Sequence, residues 1–266
     1  MPLTHLAVIA LIQGITEFLP VSSSGHLILI PSLTGWQDQG VIIDIAVHVG
    51  TLGAVMVYLW RDVAAMIRGV LKPGNVRRNP GLRLIGYLVV ATVPIVIGGA
   101  VVLAELGSNS RNPAVVGWAT LGFGVLLYLA DRYTVTINRI EHMTAGRALI
   151  IGIAQVAALI PGASRSGVTI TAARWLGFER RDAARFSMLM SIPTIIAAAS
   201  AAVWELMQKG ATHAEWQAVA VAIALSFVAA LVAIALMMSW LRRASFTPFV
   251  WYRLALGAAI LWWAYS

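Results

Sequence analysis

Apolar residues fill most of this chain, in runs that are long enough to cross a lipid bilayer. A helix needs about 20 mainly apolar residues to cross, since it rises about 1.5 Å per residue. The pattern predicts six transmembrane helices, at roughly 41–60, 84–104, 114–130, 184–204, 217–240 and 249–265. The fold class that follows is an all-α integral membrane protein.

Two further apolar segments, residues 4–30 and 147–176, are interrupted by polar residues where a membrane helix should have only hydrocarbon. A proline, a cluster of serines and a glycine divide each segment into two pieces that are too short to cross. Such a break is tolerated at membrane depth only where protein or a watery cavity satisfies the backbone. Each segment is therefore predicted to form a re-entrant helical hairpin.

Composition supports the membrane prediction. Apolar residues make up 59% of the chain and charged residues 11%, so the chain is solvated mainly by lipid. The whole chain, 1–266, is predicted to be one polytopic membrane domain. The absence of cysteine excludes disulfides, thiolate metal sites and cysteine nucleophiles.

The net charge of +8 is explained by membrane topology, and no nucleic-acid partner is predicted. With two re-entrant hairpins, almost all basic residues, including Arg174 and Arg253, fall on one face. The other face receives Arg111 and Lys209, and Arg165 is left within the membrane. The positive-inside rule assigns the crowded face to the cytoplasm, so both termini are predicted to lie outside.

Residues 13–60 and 155–204 look like two versions of one pattern, offset by about 142 residues. Gln13 precedes the first break and Gln155 the second, and a serine-rich turn closes on Gly25 in one copy and on Gly167 in the other. Three predicted spans separate equivalent points. An odd number of crossings gives the two copies opposite orientations.

The sequence thus predicts an inverted-topology repeat with halves at roughly 1–130 and 146–266. One hairpin then enters from outside and the other from the cytoplasm, so their polar tips can meet near the midplane. The alternative is that the likeness between short apolar segments reflects composition alone.

The second break offers an arginine, hydroxyl groups and free backbone N–H groups ahead of a helix. A helix N-terminus carries positive partial charge, and arginine can bind two oxygens of a phosphate. The first break supplies another serine-rich helix start. Together they predict a phosphate or pyrophosphate site formed by Ser22, Ser23, Ser24, Ser164, Arg165, Ser166 and Gly167. In the alternative interpretation Arg165 snorkels to the interface and the serines only cap helices.

Two ionisable residues accompany the first break. Glu17 lies one helical turn after Gln13, so both side chains share a face that points toward the break. Glu17 can hold a divalent cation, act as a general base, or pair with Arg165 as a structural salt bridge. His26, just beyond the serines, can transfer a proton or attack phosphorus, or can be structural.

Other polar residues in the apolar helices carry weaker signals. Asp44 and His48 share a helix face, and either line the cavity or anchor the helix at the membrane interface, which is the interpretation we prefer. Ser187 and Ser191 are as consistent with helix packing as with a site. Three aromatic residues near the C-terminus predict an interfacial belt: Trp262, Trp263 and Tyr265.

Residues 13–26 (QGITEFLPVSSSGH) and 161–169 (PGASRSGVT) resemble the two signatures of the undecaprenyl pyrophosphate phosphatases of the bacitracin-resistance type. The resemblance extends over the whole chain. It implies hydrolysis of undecaprenyl pyrophosphate to the monophosphate and phosphate, which recycles the lipid carrier of peptidoglycan and other envelope polymers. It also implies a divalent cation, Mg²⁺ or Ca²⁺, and a site that opens to the outer side of the bacterial cytoplasmic (inner) membrane.

Taken position by position, the resemblance implies catalytic hydroxyl and imidazole groups at Ser23 and His26. It implies that the phosphates are surrounded by Ser164, Arg165, Ser166 and Thr169. It also implies cation binding at Glu17 and Gln13. Some members carry glutamate at both of these positions, so the glutamine in this chain leaves a cation with one fewer carboxylate.

Several alternatives stay open at the level of sequence. The nucleophile is His26, Ser23 or water. An inverted-repeat transporter or flippase for lipid phosphate or a small anion would use the same arginine and serines. Hydrolysis is favoured because a pure binding site needs neither Glu17 nor His26. The predicted partners are the isoprenoid lipid pyrophosphate and the bilayer, and a homodimer is left open.

Overall fold

The computed structural model describes residues 2–36, 40–72, 74–75, 78–106, 112–209 and 213–266. Within these residues the fold is all-helical, apart from one isolated bridge between Asn138 and Phe178. The helices are α1 (Leu3–Thr16), α2 (Ser23–Thr34), α3 (Gly40–Tyr58), α4 (Trp60–Leu71), α5 (Pro80–Leu106), α6 (Pro113–Tyr133), α7 (Ala145–Val156), α8 (Arg165–Trp175), α9 (Arg180–Lys209), α10 (His213–Trp240) and α11 (Thr247–Tyr265). The all-α prediction is confirmed.

Four helices of the described part are long and apolar enough to cross a membrane: α3, α6, Pro80–Val101 of α5 and Glu215–Trp240 of α10. The two other predicted windows, 184–204 and 249–265, fall within α9 and α11. A short helix, α4, follows α3 and was not predicted. These helices are consistent with a membrane protein, and the arrangement with six spans stays a prediction.

Both polar breaks interrupt the helices where the sequence predicted. The first lies between α1 and α2, and the second follows a short 3-10 turn, Ala157–Leu159, after α7. The helices of each pair contact one another.

The two breaks have the same local backbone conformation and the same capping hydrogen bond. Ser22 and Ser164 adopt left-handed conformations, with φ of 71° and 68°. The Ser22 hydroxyl accepts a hydrogen bond from the Gly25 N–H (3.3 Å), and the Ser164 hydroxyl accepts one from the Gly167 N–H (3.2 Å). A left-handed non-glycine residue costs about 1–3 kcal/mol, and such residues cluster at functional sites. The two serines, which are separated by the repeat offset of about 142 residues, therefore have matching local structures.

Small residues let the broken helices approach their neighbours. A Cβ atom at Gly14 of α1 would stand 2.6 Å from the Cβ of Ala229 on α10. At Gly152 of α7 it would stand 2.7 Å from the Cα of Ala91 on α5. Close backbone approach of this kind is how helices associate in a membrane, where apolar burial gives little driving force. Each break is thus anchored by the helix that leads into it.

Two arginines counted from sequence with the basic face are buried in the protein. Arg174 is 2% exposed and donates from Nε to an Asp131 carboxylate oxygen at 3.0 Å. Arg253 is fully buried in α11. Their burial was not predicted, because counting charges between apolar windows cannot tell a loop arginine from one that packs inward at a helix end. Arg111 lies outside the described residues.

Candidate active site

A cavity of about 340 Å³ lies where the two breaks meet. Its walls come from both breaks and from α3 and α9, and the polar residues that line it are Glu17, Ser23, Asp44, His48, Ser164, Arg165 and Thr194. Sequence reasoning predicted that the two breaks would meet. Four of the predicted site residues, Glu17, Ser23, Ser164 and Arg165, share this cavity.

The Glu17 carboxylate is the centre of the polar contacts. It is 7% exposed, and its Oε1 accepts a hydrogen bond from the Arg165 guanidinium at 3.0 Å. Its Oε2 accepts one from the Gln13 amide at 2.7 Å and one from the Ser23 hydroxyl at 3.0 Å. One carboxylate therefore ties together α1, the start of α2 and the start of α8.

Arg165 stands at the first position of α8, with its side chain 15% exposed to the cavity. Its second contact is a long hydrogen bond to the Ser187 carbonyl oxygen (3.4 Å). Of the interpretations left open by sequence, the ion pair with Glu17 is present and snorkelling is not. Because the guanidinium has five donors, the pair leaves it able to bind a further anion.

The rest of the second signature lies behind the cavity wall. The Ser166 hydroxyl donates to the Leu19 carbonyl oxygen at 2.9 Å, which fastens the second break to the first. Thr169 and Ser187 share a hydroxyl contact of 2.7 Å between α8 and α9. Gly167, also buried, starts the helix. These residues hold the site together in this structure and do not line it.

The serines of the first break differ in the same way. Ser22 is fully buried, and Ser23 reaches the cavity. The side chain of Ser24 lies outside the described residues. Of this cluster, the Ser23 hydroxyl is the one seen in contact with the Glu17 carboxylate.

His26 turns away from the cavity and toward α11. Its Nδ1 lies 2.8 Å from the Ser22 carbonyl oxygen, and its Nε2 lies 2.5 Å from the Tyr252 hydroxyl. Because a carbonyl oxygen can only accept, Nδ1 carries a proton, and in the neutral ring Nε2 accepts from Tyr252. The imidazole is thus fixed as one tautomer, against the backbone of the residue before Ser23.

Asp44 and His48 line the cavity, so the preferred interpretation of them as interface anchors was wrong. His48 Nδ1 lies 2.5 Å from the Asp44 carbonyl oxygen, and His48 Nε2 lies 3.0 Å from the Gln13 amide nitrogen. The shared helix face was visible in the sequence. What was missing was the packing of α3 against α1, which turns that face toward Glu17.

Arg253 is a further residue that sequence reasoning missed. Its guanidinium donates to the carbonyl oxygens of Pro20 in the first break (3.4 Å) and of Gly162 and Ala163 in the second (3.2 and 3.0 Å). Its Nε donates to the Thr120 carbonyl oxygen of α6 at 3.2 Å. No ion pair recorded for the described residues includes Arg253. This buried charge joins both breaks to α11.

Oxygen atoms beside Glu17 suit a hard divalent cation. The Gln13 Oε1 is buried and has no hydrogen-bond partner, next to the Glu17 carboxylate. Mg²⁺ and Ca²⁺ take such oxygen ligands, and Mg²⁺ usually completes its shell with water and substrate phosphates. The described residues contain no cluster of three acidic, His or Cys side chains that would form a protein-only cation site. The donors therefore fit a cation that is shared with a phosphate.

The charges around the cavity support the same conclusion. Among the described residues that line the cavity, Arg165 is the one arginine or lysine. Two carboxylates, Glu17 and Asp44, line it as well. A pyrophosphate brings additional negative charge, and the Arg165 charge is already opposed by Glu17. Anion binding here needs further positive charge, which helix N-termini supply only in part.

Comparison with known proteins gives one consistent result. The family model described as "Bacitracin resistance protein BacA" matches residues 6–259. A protein of Rhodospirillum rubrum named undecaprenyl-diphosphatase 1 is 50% identical over 273 residues, covering 100% of this chain and 96% of the relative. The undecaprenyl-diphosphatases of Ruegeria pomeroyi and Alteromonas mediterranea are 52% and 42% identical, with full coverage of both chains in each case.

Proposed function

The chain belongs to the BacA family of bacitracin resistance proteins, and from that premise we propose that it hydrolyses undecaprenyl pyrophosphate to undecaprenyl phosphate and inorganic phosphate. The observation that carries the proposal is the contact of Glu17 with both Ser23 and Arg165 at the edge of one cavity. Full-length relatives named undecaprenyl-diphosphatase support it. The product returns the lipid carrier to the synthesis of peptidoglycan and other envelope polymers, and bacitracin resistance follows from the family.

Arg165 and the two helix starts are proposed to bind the pyrophosphate. The N-terminal turns of α2 and α8 direct positive partial charge toward an anion between them. The Ser23 and Ser164 hydroxyls line the same space. Arg165 would release or share its contact with Glu17 when phosphate oxygens arrive. Stabilisation of charge on the transferred phosphoryl group is then the main catalytic contribution.

Glu17 is proposed as the general base. The Ser23 hydroxyl donates to it at 3.0 Å, which is within the range for proton transfer. In the route that this contact favours, Ser23 Oγ gives its proton to Glu17 and forms a bond to the terminal phosphorus. The bond from that phosphorus to the bridging oxygen breaks, lipid monophosphate leaves, and water then hydrolyses the phosphoserine. In the other route, water occupies the same position and attacks directly.

His26 is proposed to act on this step through the backbone. No contact with the Ser23 hydroxyl, Glu17 or Arg165 is recorded for its ring, so direct attack by His26 has no support from the geometry. Its hydrogen bond to the Ser22 carbonyl oxygen holds the residue that precedes Ser23. We therefore keep His26 in the proposed site as a group that orients Ser23.

A divalent cation, Mg²⁺ or Ca²⁺, is proposed beside Glu17 and Gln13, where it would offset the charge of the pyrophosphate. The unpartnered Gln13 Oε1 supports this proposal, as does the lack of surplus positive charge among the described residues of the cavity wall. With one carboxylate in the pair, phosphate oxygens and water would have to complete the shell.

The proposed membrane arrangement has six spans and two re-entrant hairpins as an inverted repeat. If α1, α3, α5 and α6 correspond to α7, α9, α10 and α11, a two-fold axis would interchange two pairs of helix contacts that these elements make. The contact of α1 with α10 becomes that of α7 with α5, and the contact of α3 with α10 becomes that of α9 with α5. All four contacts are present, and the self-related pairs α3–α9 and α6–α11 also pack together. The matching left-handed serines support the same repeat.

The proposed location is the bacterial cytoplasmic membrane, with both termini and the opening of the site on the outer side. The excess of basic residues on one face supports this orientation. The helix contacts expected of an inverted repeat also favour a second candidate, a flippase or transporter for lipid phosphate, which would use the same cavity.

The test is release of phosphate from undecaprenyl pyrophosphate by detergent-purified protein, with Mg²⁺, Ca²⁺ or a chelator. Wild type is compared with Arg165→Ala and Glu17→Gln. Arg139→Ala is a matched control, because Arg139 forms a 2.7 Å pair with Glu179 on the exposed surface. Cation-dependent release that is lost in the two site variants and kept in the control supports the phosphatase. No release by folded wild type, combined with lipid phosphate movement in vesicles, would replace it with the flippase.

A further inference from the structure

His48, which belongs to neither sequence signature, sits at the end of a chain of hydrogen bonds that leads to Glu17. We propose that His48 is a positioning residue for the hydrolysis: it holds the Gln13 amide, and through that amide the Glu17 carboxylate, in the orientation needed to accept a proton. The proposal rests on the phosphatase function and adds a residue from α3 to the site.

The direction of each hydrogen bond in the chain is fixed by its acceptors. The Asp44 carbonyl oxygen can only accept, so His48 Nδ1 carries a proton, and in the neutral ring His48 Nε2 presents a lone pair. The Gln13 amide nitrogen lies 3.0 Å from that lone pair and 2.7 Å from Glu17 Oε2. One NH₂ group therefore donates one hydrogen to the imidazole and the other to the carboxylate.

This arrangement leaves Glu17 Oε2 with two donors, the Gln13 amide and the Ser23 hydroxyl. The amide fixes where the oxygen lies, and the hydroxyl carries the proton that the oxygen is to accept. His48 Nε2 itself lies 3.6 Å from Glu17 Oε2, beyond a hydrogen bond. His48 thus acts on Glu17 through Gln13.

Burial makes the imidazole hard to replace. Gln13 is 0% exposed, so an amide hydrogen that loses His48 has little access to water. Leaving a buried donor unsatisfied costs about 1–3 kcal/mol, and the amide can avoid that cost by rotating away from Glu17. The His48 side chain is 34% exposed and forms part of the cavity wall. Removing it should therefore disturb the carboxylate more than the fold.

The residue type at position 13 explains why an acceptor is needed at position 48. A glutamate at position 13 would have no hydrogen to give to Glu17 or to His48 Nε2. A glutamine provides two, and one of them needs an acceptor other than Glu17. Gln13 and His48 are in this sense a matched pair, in which the acceptor on α3 suits the amide on α1.

The experiment measures kcat and KM for phosphate release, and the melting temperature in detergent, for His48→Leu, His48→Gln, Gln13→Leu and the double variant Gln13→Leu/His48→Leu. Glutamine carries its amide oxygen about as far from the backbone as Nε2 of histidine, so it can accept from Gln13. His5→Leu is the control, because His5 stacks on Trp36 at the start of α1, away from the cavity.

We expect His48→Leu to lower kcat by about 10- to 100-fold, because the catalytic carboxylate would be misoriented. KM should change by less than about threefold. His48→Gln should stay within about threefold of wild type, and His5→Leu should match wild type. The double variant should be no slower than the slower single variant, because both changes break the same chain of bonds.

Wild-type kcat in His48→Leu would overturn the proposal, as would a folded His48→Gln that is as slow as His48→Leu, or additive effects in the double variant. If His48→Leu does not fold, the comparison of His48→Gln with His48→Asn decides. Asparagine is too short to reach Gln13, so it should be slow where glutamine is fast, and equal rates would refute the role. A folded wild type without activity would instead refute the phosphatase function, on which this role depends.

Discussion

The Nε2 atom of His26 lies 2.5 Å from the hydroxyl oxygen of Tyr252, a residue 226 positions further along the chain, and the two rings stack with an interplanar angle of 5°. This contact links the start of α2 to α11. It also means that the ring nitrogen farther from the Ser22 backbone is occupied by a phenol in this structure. The histidine of the first signature therefore depends on the C-terminal helix for its orientation.

Replacing Tyr252 should separate the two contacts of His26. In Tyr252→Phe the stacked ring stays and the hydrogen bond to Nε2 is lost, so the bond from Nδ1 to the Ser22 carbonyl oxygen can persist. We expect phosphate release to fall by less than about fivefold, and by about tenfold or more in His26→Ala, which loses both contacts. Equal losses in the two variants, measured as kcat, would show that the phenol matters as much as the imidazole.

Arg253 should be needed for both stability and activity. Arg253→Met removes the donor to carbonyl oxygens in both breaks, and each buried carbonyl left without a partner costs about 1–3 kcal/mol. We expect a lower melting temperature and a kcat/KM reduced by at least about tenfold, with partial recovery in Arg253→Lys, which keeps the charge and some donors. Arg242→Met is the control, because Arg242 is exposed after α10. An unchanged melting temperature in Arg253→Met would contradict the role of Arg253 in joining the two breaks to α11.

The cation proposal predicts that one substitution strengthens cation binding and slows catalysis. Gln13→Glu adds a carboxylate beside Glu17, so the Mg²⁺ or Ca²⁺ concentration for half-maximal activity should fall by about tenfold. The same change removes the amide hydrogens that Glu17 and His48 use, so kcat at saturating cation should also fall. A cation titration of wild type and variant measures both quantities. An unchanged or higher half-maximal concentration would mean that position 13 does not contact the cation.

Local features of the site could be predicted from sequence because they depend on neighbours in the chain. The breaks follow from proline and serine within apolar runs, and the pairing of Glu17 with Gln13 follows from one helical turn. The contact between Glu17 and Arg165 was one of three stated alternatives. It could be foreseen because a central arginine in a membrane needs a partner, and few carboxylates were available.

Features that depend on helix packing could not be predicted in this way. His48 reaches the site because α3 packs against α1, and Arg253 does so because α11 packs against α6. Both residues lie in helices that are mainly apolar, where an interface position and a core position give the same pattern. The ring of His26 is a similar case, since nothing near it in the sequence indicates a tyrosine on the last helix.

The packing of α1 on α10 leads to the last prediction, which concerns how the first break is anchored. A Cβ atom at Gly14 would stand 2.6 Å from the Ala229 Cβ and 2.7 Å from the Ser226 carbonyl oxygen, and the backbone on α10 has no flexible end that could yield. Gly14→Ala should therefore push α1 from α10, displace Gln13 and Glu17, and lower both the melting temperature and kcat. Gly122→Ala on α6 is the matched control, since nothing lies within 4 Å of its Cβ position. There the alanine should be neutral or stabilise the helix by about 0.5–1 kcal/mol. If both alanine variants behaved alike in melting temperature and phosphate release, the close approach of α1 to α10 would not be what holds Glu17 in place.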